Sequence, residues 1–404
     1  MLNRVNTAAA ADTRSTTSAP DAEIATRIRE RLPIVRMFFA REAARITAAA
    51  GALAERFERG GTLYAFGRHA YSTDAAHLSV EFVHPVIVGK TALPAFDLSA
   101  APPELVAALL RPADIAIALG PPDGDPLLAD VLAGAARRGA LTLALPGAAA
   151  DYAFEAPCSD EHIHQEVFEL LGHTLYESVH VFLEARGRGS GTGASSFLYP
   201  FLDAGTARGV DPAGITASIL RKVEDGAALR EELAATQTSA LAAAADAIDE
   251  RLAAGGRILA LGNGGSATDA TDFVLDCVMP VAGMPTIPAL SLSAEPAVLS
   301  AMGNDLGMEH TFLRQLIARA KPNDVVLAFS TSGGSKNVVA ALEEARRRGL
   351  LSVAILGYDG GDIVRRKLAD FAIVVGSVDI PRIQETQATI YHVLRERLGR
   401  HRAP

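Results

Sequence analysis

The sequence has no tryptophan, two cysteines and few aromatic residues, which make up 5% of its 404 positions. Two cysteines, Cys158 and Cys277, give no disulfide framework and suit a reducing compartment, where both are expected to be inert thiols. Lysine and arginine form no block, and the net charge of −9 speaks against a nucleic-acid partner. No apolar run is long enough to span a bilayer. The first 21 residues, rich in Ala, Ser and Thr, have no apolar core of a secretory signal. The expectation is a cytoplasmic protein without nucleic-acid or membrane partners, opening on a disordered tail, residues 1–21.

What is present is ordinary for a globular, core-forming chain: 49% hydrophobic and 21% charged residues. Two stretches stand out. Arg257 to Asp276 runs from an apolar strand, Ile258–Leu261, through Gly262-Asn263-Gly264-Gly265-Ser266 into a helical pattern. Strand, glycine turn and helix together aim backbone N–H groups and a positive dipole end at an anion. The spacing is neither GxGxxG nor GxxxxGK[ST], so no nucleotide cofactor is expected; a tight turn without a ligand has the same pattern. Asp324 to Ser335 repeats the plan. An apolar strand, Val325–Phe329, leads into Ser330-Thr331-Ser332-Gly333-Gly334-Ser335, and a helix follows from about Asn337. One serine is what a helix cap needs; this many hydroxyls in one turn fit a phosphate.

The first half repeats the second. Gly61–Val86 aligns without a gap on Gly256–Val281, with Thr73-Asp74-Ala75 on Thr268-Asp269-Ala270. PAFDLSAAP at Pro94 parallels PALSLSAEP at Pro288, and RPADIAIALG at Arg111 parallels KPNDVVLAFS at Lys321. HIHQEVFELLGH, ending at His173, parallels PRIQETQATIYH, ending at His392. The reading is a duplicated α/β domain, each copy a five-stranded parallel sheet flanked by helices. Strands are expected near Thr62, Pro94, Asp114, Leu141 and Tyr152, then near Arg257, Thr286, Asp324, Leu351 and Phe371. The copies span 22–186 and 211–404, joined by a linker at 187–210. Asp21 to Gly60 reads as two helices broken at Leu32-Pro33. His162 and His164 read as solvated.

GNGGSATDA, MGNDLGMEHTF, FSTSGGSKNVVAALEEARRRG and RIQETQATIYH, in that order, resemble a sugar-isomerase (SIS) domain of the phosphoheptose isomerase type. The resemblance implies a phosphorylated sugar held by Asn263, Gly264, Gly265, Ser266, Asn304, Asp305, Ser330, Thr331, Ser332, Ser335 and Gln384. It also implies a divalent metal, Zn2+ or another, and acid–base chemistry on a HxxxE pair and a Gln with a His eight residues on. The first copy fills those columns with His77, Glu81, Gln165 and His173. The second fills them with Asp272, Asp276, Gln384 and His392. The implied base is Glu81 or Asp276, and the implied acid His173 or His392. Eight residues separate Gln165 from His173 by about 12 Å along a helix, so both reach one site only through long side chains or a frayed turn, or else they serve two sites. The family's arginine four residues after the glutamate is Pro85 here, and Pro280 in the second copy, so a sugar phosphate is implied rather than a heptose in particular.

The copies have diverged in complementary ways. The first replaces the glycine loop with Gly67-Arg68-His69-Ala70-Tyr71 and the hydroxyl turn with Gly120-Pro121-Pro122-Asp123-Gly124-Asp125. Prolines remove donors and aspartates repel a phosphate. The expectation is one composite site in an intramolecular pseudo-dimer, the second copy gripping phosphate and the first carrying the chemistry, in a chain that also forms homo-oligomers. The rival is a non-catalytic sugar-phosphate sensor or assembly scaffold.

Overall fold

Ile258–Leu261 and Val325–Ser330, apolar with almost no alternation, are central strands buried on both faces, as parallel strands covered by helices must be. The computed structural model describes residues 19–85, 90–147, 149–186 and 211–399. The first half runs α1 (Ala19–Glu58), β1 (Leu63–Gly67), α2 (Tyr71–Val83), β2 (Ala95–Asp97), α3 (Pro103–Leu109), β3 (Ile115–Leu119), α4 (Pro126–Arg137), β4 (Leu141–Leu145), β5 (Tyr152–Ala153) and α5 (Glu161–Ala185). The second runs α6 (Pro212–Thr236), α7 (Thr238–Ala253), β6 (Ile258–Leu261), α8 (Gly265–Val278), β7 (Ala289–Ser291) and α9 (Pro296–Leu306). It continues, after one 3-10 turn, with α10 (Thr311–Arg319), β8 (Val325–Ser330), α11 (Lys336–Arg347), β9 (Leu351–Gly357), α12 (Gly361–Arg365), β10 (Phe371–Val375) and α13 (Ile380–Arg397).

The two five-stranded sheets have one topology, β2-β1-β3-β4-β5 and β7-β6-β8-β9-β10, with every pairing parallel. Ligands of such sheets sit beyond the carboxyl ends of the strands where the chain order reverses, here between β6 and β8. All ten strands begin within three residues of their expected starts.

Two expectations are corrected. Asp21–Gly60 is not two helices: α1 is one helix of 40 residues with Pro33 inside it. A proline within a helix costs about 3 kcal/mol, but Leu32, Val35, Phe38 and Phe39 around it are all buried against the rest of the chain. Helix α1 also takes in Ala19–Asp21, the end of the expected tail. Residues 1–18 of that tail, and the linker at 187–210, lie outside the described residues.

The long arms are exchanged between the halves. The start of α1 (Ile24, Ala25, Ile28) packs in the core of the second sheet, and its remainder packs in the core of the first. Helix α6 does the reverse: Ile215, Ile219 and Val223 join the first core, Leu233 and Ala234 the second. Each buried Ile or Val contributes about 1.5–3 kcal/mol that neither half keeps alone. Equivalent helices also meet across the join, α2 on α8 and α5 on α13.

Candidate active site

Two loops build a candidate anion cradle. A Cβ at Gly262 would meet the Ser266 carbonyl oxygen at 2.1 Å, and Gly264 takes φ +55 as it opens α8, so glycine is required for the turn. At the end of β8, Ser330 Oγ accepts from Gly333 N at 3.1 Å and Ser332 Oγ accepts from Gly334 N at 3.2 Å. Ser335 is the N-cap residue of α11, yet its side chain makes no capping hydrogen bond. Its hydroxyl is therefore not spent on the bland role that position offers. Asn263 and Asn337 exchange hydrogen bonds at 2.9 and 2.8 Å, tying the glycine loop to the start of α11. Two helix N-termini are thereby set side by side at the switch point, an arrangement that favours a phosphate. Ser266 is buried in the first turn of α8 and Thr331 is half-buried. Asn304 and Asp305 are exposed at the end of α9 and bond to each other at 2.8 Å, with no bond to either loop. Replacing Ser332 and Ser335 together by Asp is expected to abolish thermal stabilisation by phosphosugars through charge repulsion; a retained shift would move the phosphate elsewhere.

The first half keeps the backbone of this cradle and fills it. A Cβ at Gly67 would meet the Tyr71 carbonyl at 2.0 Å, and His69, in the column of Gly264, holds φ +55 despite its side chain. Asp125 accepts from the N–H groups of Leu127 and Leu128 at the start of α4 and pairs with Arg68 at 2.9 Å. The chain's own carboxylate occupies that helix N-terminus.

The polar columns of the two halves form two buried clusters, and the structure splits both expected quartets. In the first cluster, His77, Glu81 and His173 present ligand-type atoms all within 4.8 Å of one another. Gln384, not Gln165, joins them, with Nε2 at 3.5 Å from His77 Nε2. In the second, Asp272, Asp276 and His392 group in the same way. Gln165, not Gln384, joins these, with Nε2 donating to Asp272 Oδ1 at 2.7 Å. A single straight helix cannot bring positions eight residues apart to one centre, so each glutamine serves the site of the opposite half.

The exchange extends to groups the sequence reading missed. His173 Nδ1 lies 2.9 Å from Glu385, and His392 Nδ1 lies 3.2 Å from Glu166. Thr268 Oγ1 lies 3.0 Å from His77 Nδ1, and Thr73 Oγ1 donates to Asp272 at 3.0 Å. This reciprocity is that of a pseudo-two-fold axis. The signal for Glu166 and Glu385 was the Gln-Glu dipeptide in both copies. His162 and His164 are buried rather than solvated, because α5 packs against α1, α2 and α13. His162 stacks on His392 at 4.8 Å, and His164 Nε2 pairs with the Gly120 carbonyl at 2.9 Å.

Electrostatics separate the clusters. In the first, burial raises the Glu81 carboxyl to about 7 against the opposing pull of His77. Burial likewise drives the His173 imidazole well below its usual value, towards the neutral form. Glu81 Oε2, His173 Nε2 and Gln384 Oε1 are buried with no hydrogen-bond partner. In the second, burial alone would lower His392, but the carboxylates of Asp272, Glu166 and Asp276 around it raise it well above its usual value. Asp272 is already engaged by Thr73, Gln165 and Tyr391.

The first cluster borders the cradle. A Cβ at Gly265 would meet Gln384 Nε2 at 2.1 Å and the His77 ring at 3.1 Å. Gly265→Ala is expected to push both aside and reduce turnover at least about ten-fold in a folded protein, since reacting groups tolerate little displacement; unchanged kinetics would separate the cluster from the cradle. The first half carries Ala70 in that column.

Residues 223–357 match the family model described as SIS domain. A phosphoheptose isomerase from Trichlorobacter lovleyi is 38% identical over 177 residues, covering 44% of this chain and 89% of that protein. A phosphoheptose isomerase from Geobacter sulfurreducens is 42% identical over 171 residues, covering 41% of this chain and 86% of its own length. The solved C-terminal domain of glucosamine-fructose-6-phosphate aminotransferase from Francisella tularensis matches with a TM-score of 0.55 at 11% identity, covering 96% of this chain and 97% of that one. At that identity the likeness concerns the fold.

Proposed function

Because the chain belongs to the SIS-domain family of the phosphoheptose isomerase type, we propose that it is a sugar-phosphate aldose–ketose isomerase with one composite site, its cradle on the second half and its reacting groups on the first. The observation that carries this is the contact of His77 and Gln384 with Gly265 of the cradle helix. The donor set also suits a divalent metal: His77, Glu81, His173 and Gln384 offer nitrogen and oxygen donors, and three of their buried atoms lack partners. A Zn2+ or similar ion held there would supply Lewis-acid polarisation of the substrate carbonyl.

The cradle fixes the phosphate and so places C1 and C2 of the sugar over the cluster. Starting from the ketose, Glu81 takes a proton from C1 and the electrons of that bond form the enediol. The same carboxyl returns the proton to C2. With no metal on it, His173 Nε2 accepts the hydroxyl proton of O1 and delivers it to O2, so the aldose forms with every proton accounted for. A carboxyl displaced to about 7 is suited to both halves of that transfer.

The test is incubation with sedoheptulose 7-phosphate and shorter ketose phosphates in deuterated water, with and without Zn2+, following aldose formation and exchange at C1 by NMR. Exchange or conversion is expected. Phosphosugars that raise the melting temperature without any exchange would leave the protein a sensor.

A further inference from the structure

A neutral imidazole serves this cluster only when its Nε2 lone pair, and not a hydrogen, faces the other groups. We propose that Glu385 of the second half is the positioning residue that holds His173 of the first half in this tautomer. The inference rests on the reading of the first cluster as the reacting site. Glu385 is 0% exposed, and its Oε1 lies 2.9 Å from His173 Nδ1. The same oxygen is 2.6 Å from the Arg382 guanidinium, which only donates, so this oxygen is held as an acceptor and the hydrogen between it and the ring belongs to Nδ1. His173 Nε2 is left without a partner, in the group it forms with His77 and Glu81.

His77 is treated alike. The Thr268 hydroxyl donates to the Gly265 carbonyl, so at 3.0 Å its oxygen accepts from His77 Nδ1 and leaves Nε2 facing Glu81 at 3.8 Å. Both rings are thus oriented by the opposite half, and docking of the halves completes the site. The pseudo-equivalent pair shows what else is required. His392 has Glu166 at its Nδ1, but its Nε2 faces two carboxylates, Asp272 and Asp276, at 3.7 and 3.6 Å.

The test uses the whole chain with 15N-labelled histidine, free of metal, at pH 8, with the His173 signals assigned by their loss in His173→Asn. Wild-type protein is expected to show hydrogen on Nδ1 and a bare Nε2; hydrogen on Nε2 overturns the proposal without any variant having to fold. Glu385→Leu is expected to shift His173 towards the Nε2–H form, and Glu385→Gln, which keeps the side-chain shape, to weaken the preference. Zn2+ affinity, read by competition with a chelating dye, is expected to fall about 10–100-fold in Glu385→Gln, and affinity within three-fold of wild type counts against the proposal. Wild-type protein that binds no Zn2+ would remove the metal from the proposed function, while the tautomer would still decide the role of Glu385.

Discussion

Glu81→Gln is expected to lower isomerase turnover by about 10²–10⁴-fold, the usual contribution of a positioned acid–base group. The substitution keeps the volume of a side chain that is 2% exposed and removes only its ability to carry a proton. Thermal stabilisation by phosphosugars is expected to survive it, because the cradle stands on the other half. Steady-state kinetics and a thermal shift on one preparation check both statements. Turnover above a tenth of wild type would pass the role to Asp276, whose carboxyl burial raises to about 6, with His392 beside it.

Arg31→Leu is expected to cost about 3–5 kcal/mol of stability, the loss when one partner of a buried ion pair is removed. Arg31, 1% exposed, binds Glu166 at 2.7 Å and Glu396 at 2.6 Å, one from each half. Without it two carboxylates stay buried with their main counter-charge gone, beside His392 and His162. Urea unfolding at pH 7 measures the difference, and a loss under about 1 kcal/mol would show that the network relaxes around the gap. Acid pH gives a second reading. Burial would raise Glu396, but the His162 hydrogen bond and the Arg31 charge hold it down at about 2, against an ordinary value of 4.5. A depressed carboxyl contributes stability above its unfolded value and loses it as pH falls through the folded one. The wild type should therefore weaken between about pH 4.5 and 2, and Arg31→Leu should flatten that decline.

Much of the architecture was legible along the chain. Strands β6 and β8 announced themselves as apolar runs ending in glycine or hydroxyl turns, and the duplication predicted a second sheet of the same order. The least accurate strand start was that of β7, expected near Thr286 and found at Ala289, on a three-residue edge strand with little apolar signal. Pro33 misled because a local cost was set against no knowledge of the surfaces α1 would cover.

What is contiguous could be read along the chain: the glycine turn at Gly262, the hydroxyl turn at Ser330, and the loss of both in the first copy to Arg68, His69 and the Pro121–Asp125 segment. Backbone conformation at a turn depends on the residues in it, so these features could be read in order. Tertiary structure alone decided which side chains share a site. Gln165 and His173 stand on one helix, as do Gln384 and His392, and no spacing tells which half each side chain will face. That follows from how α2 meets α8 and α5 meets α13. It also decided the protonation preference, because His173 and His392 occupy the same column but fold into different surroundings. Burial, with His77, Arg382 and Lys222 close by, pushes His173 towards the neutral form, while Asp272, Asp276 and Glu166 push His392 towards the charged one.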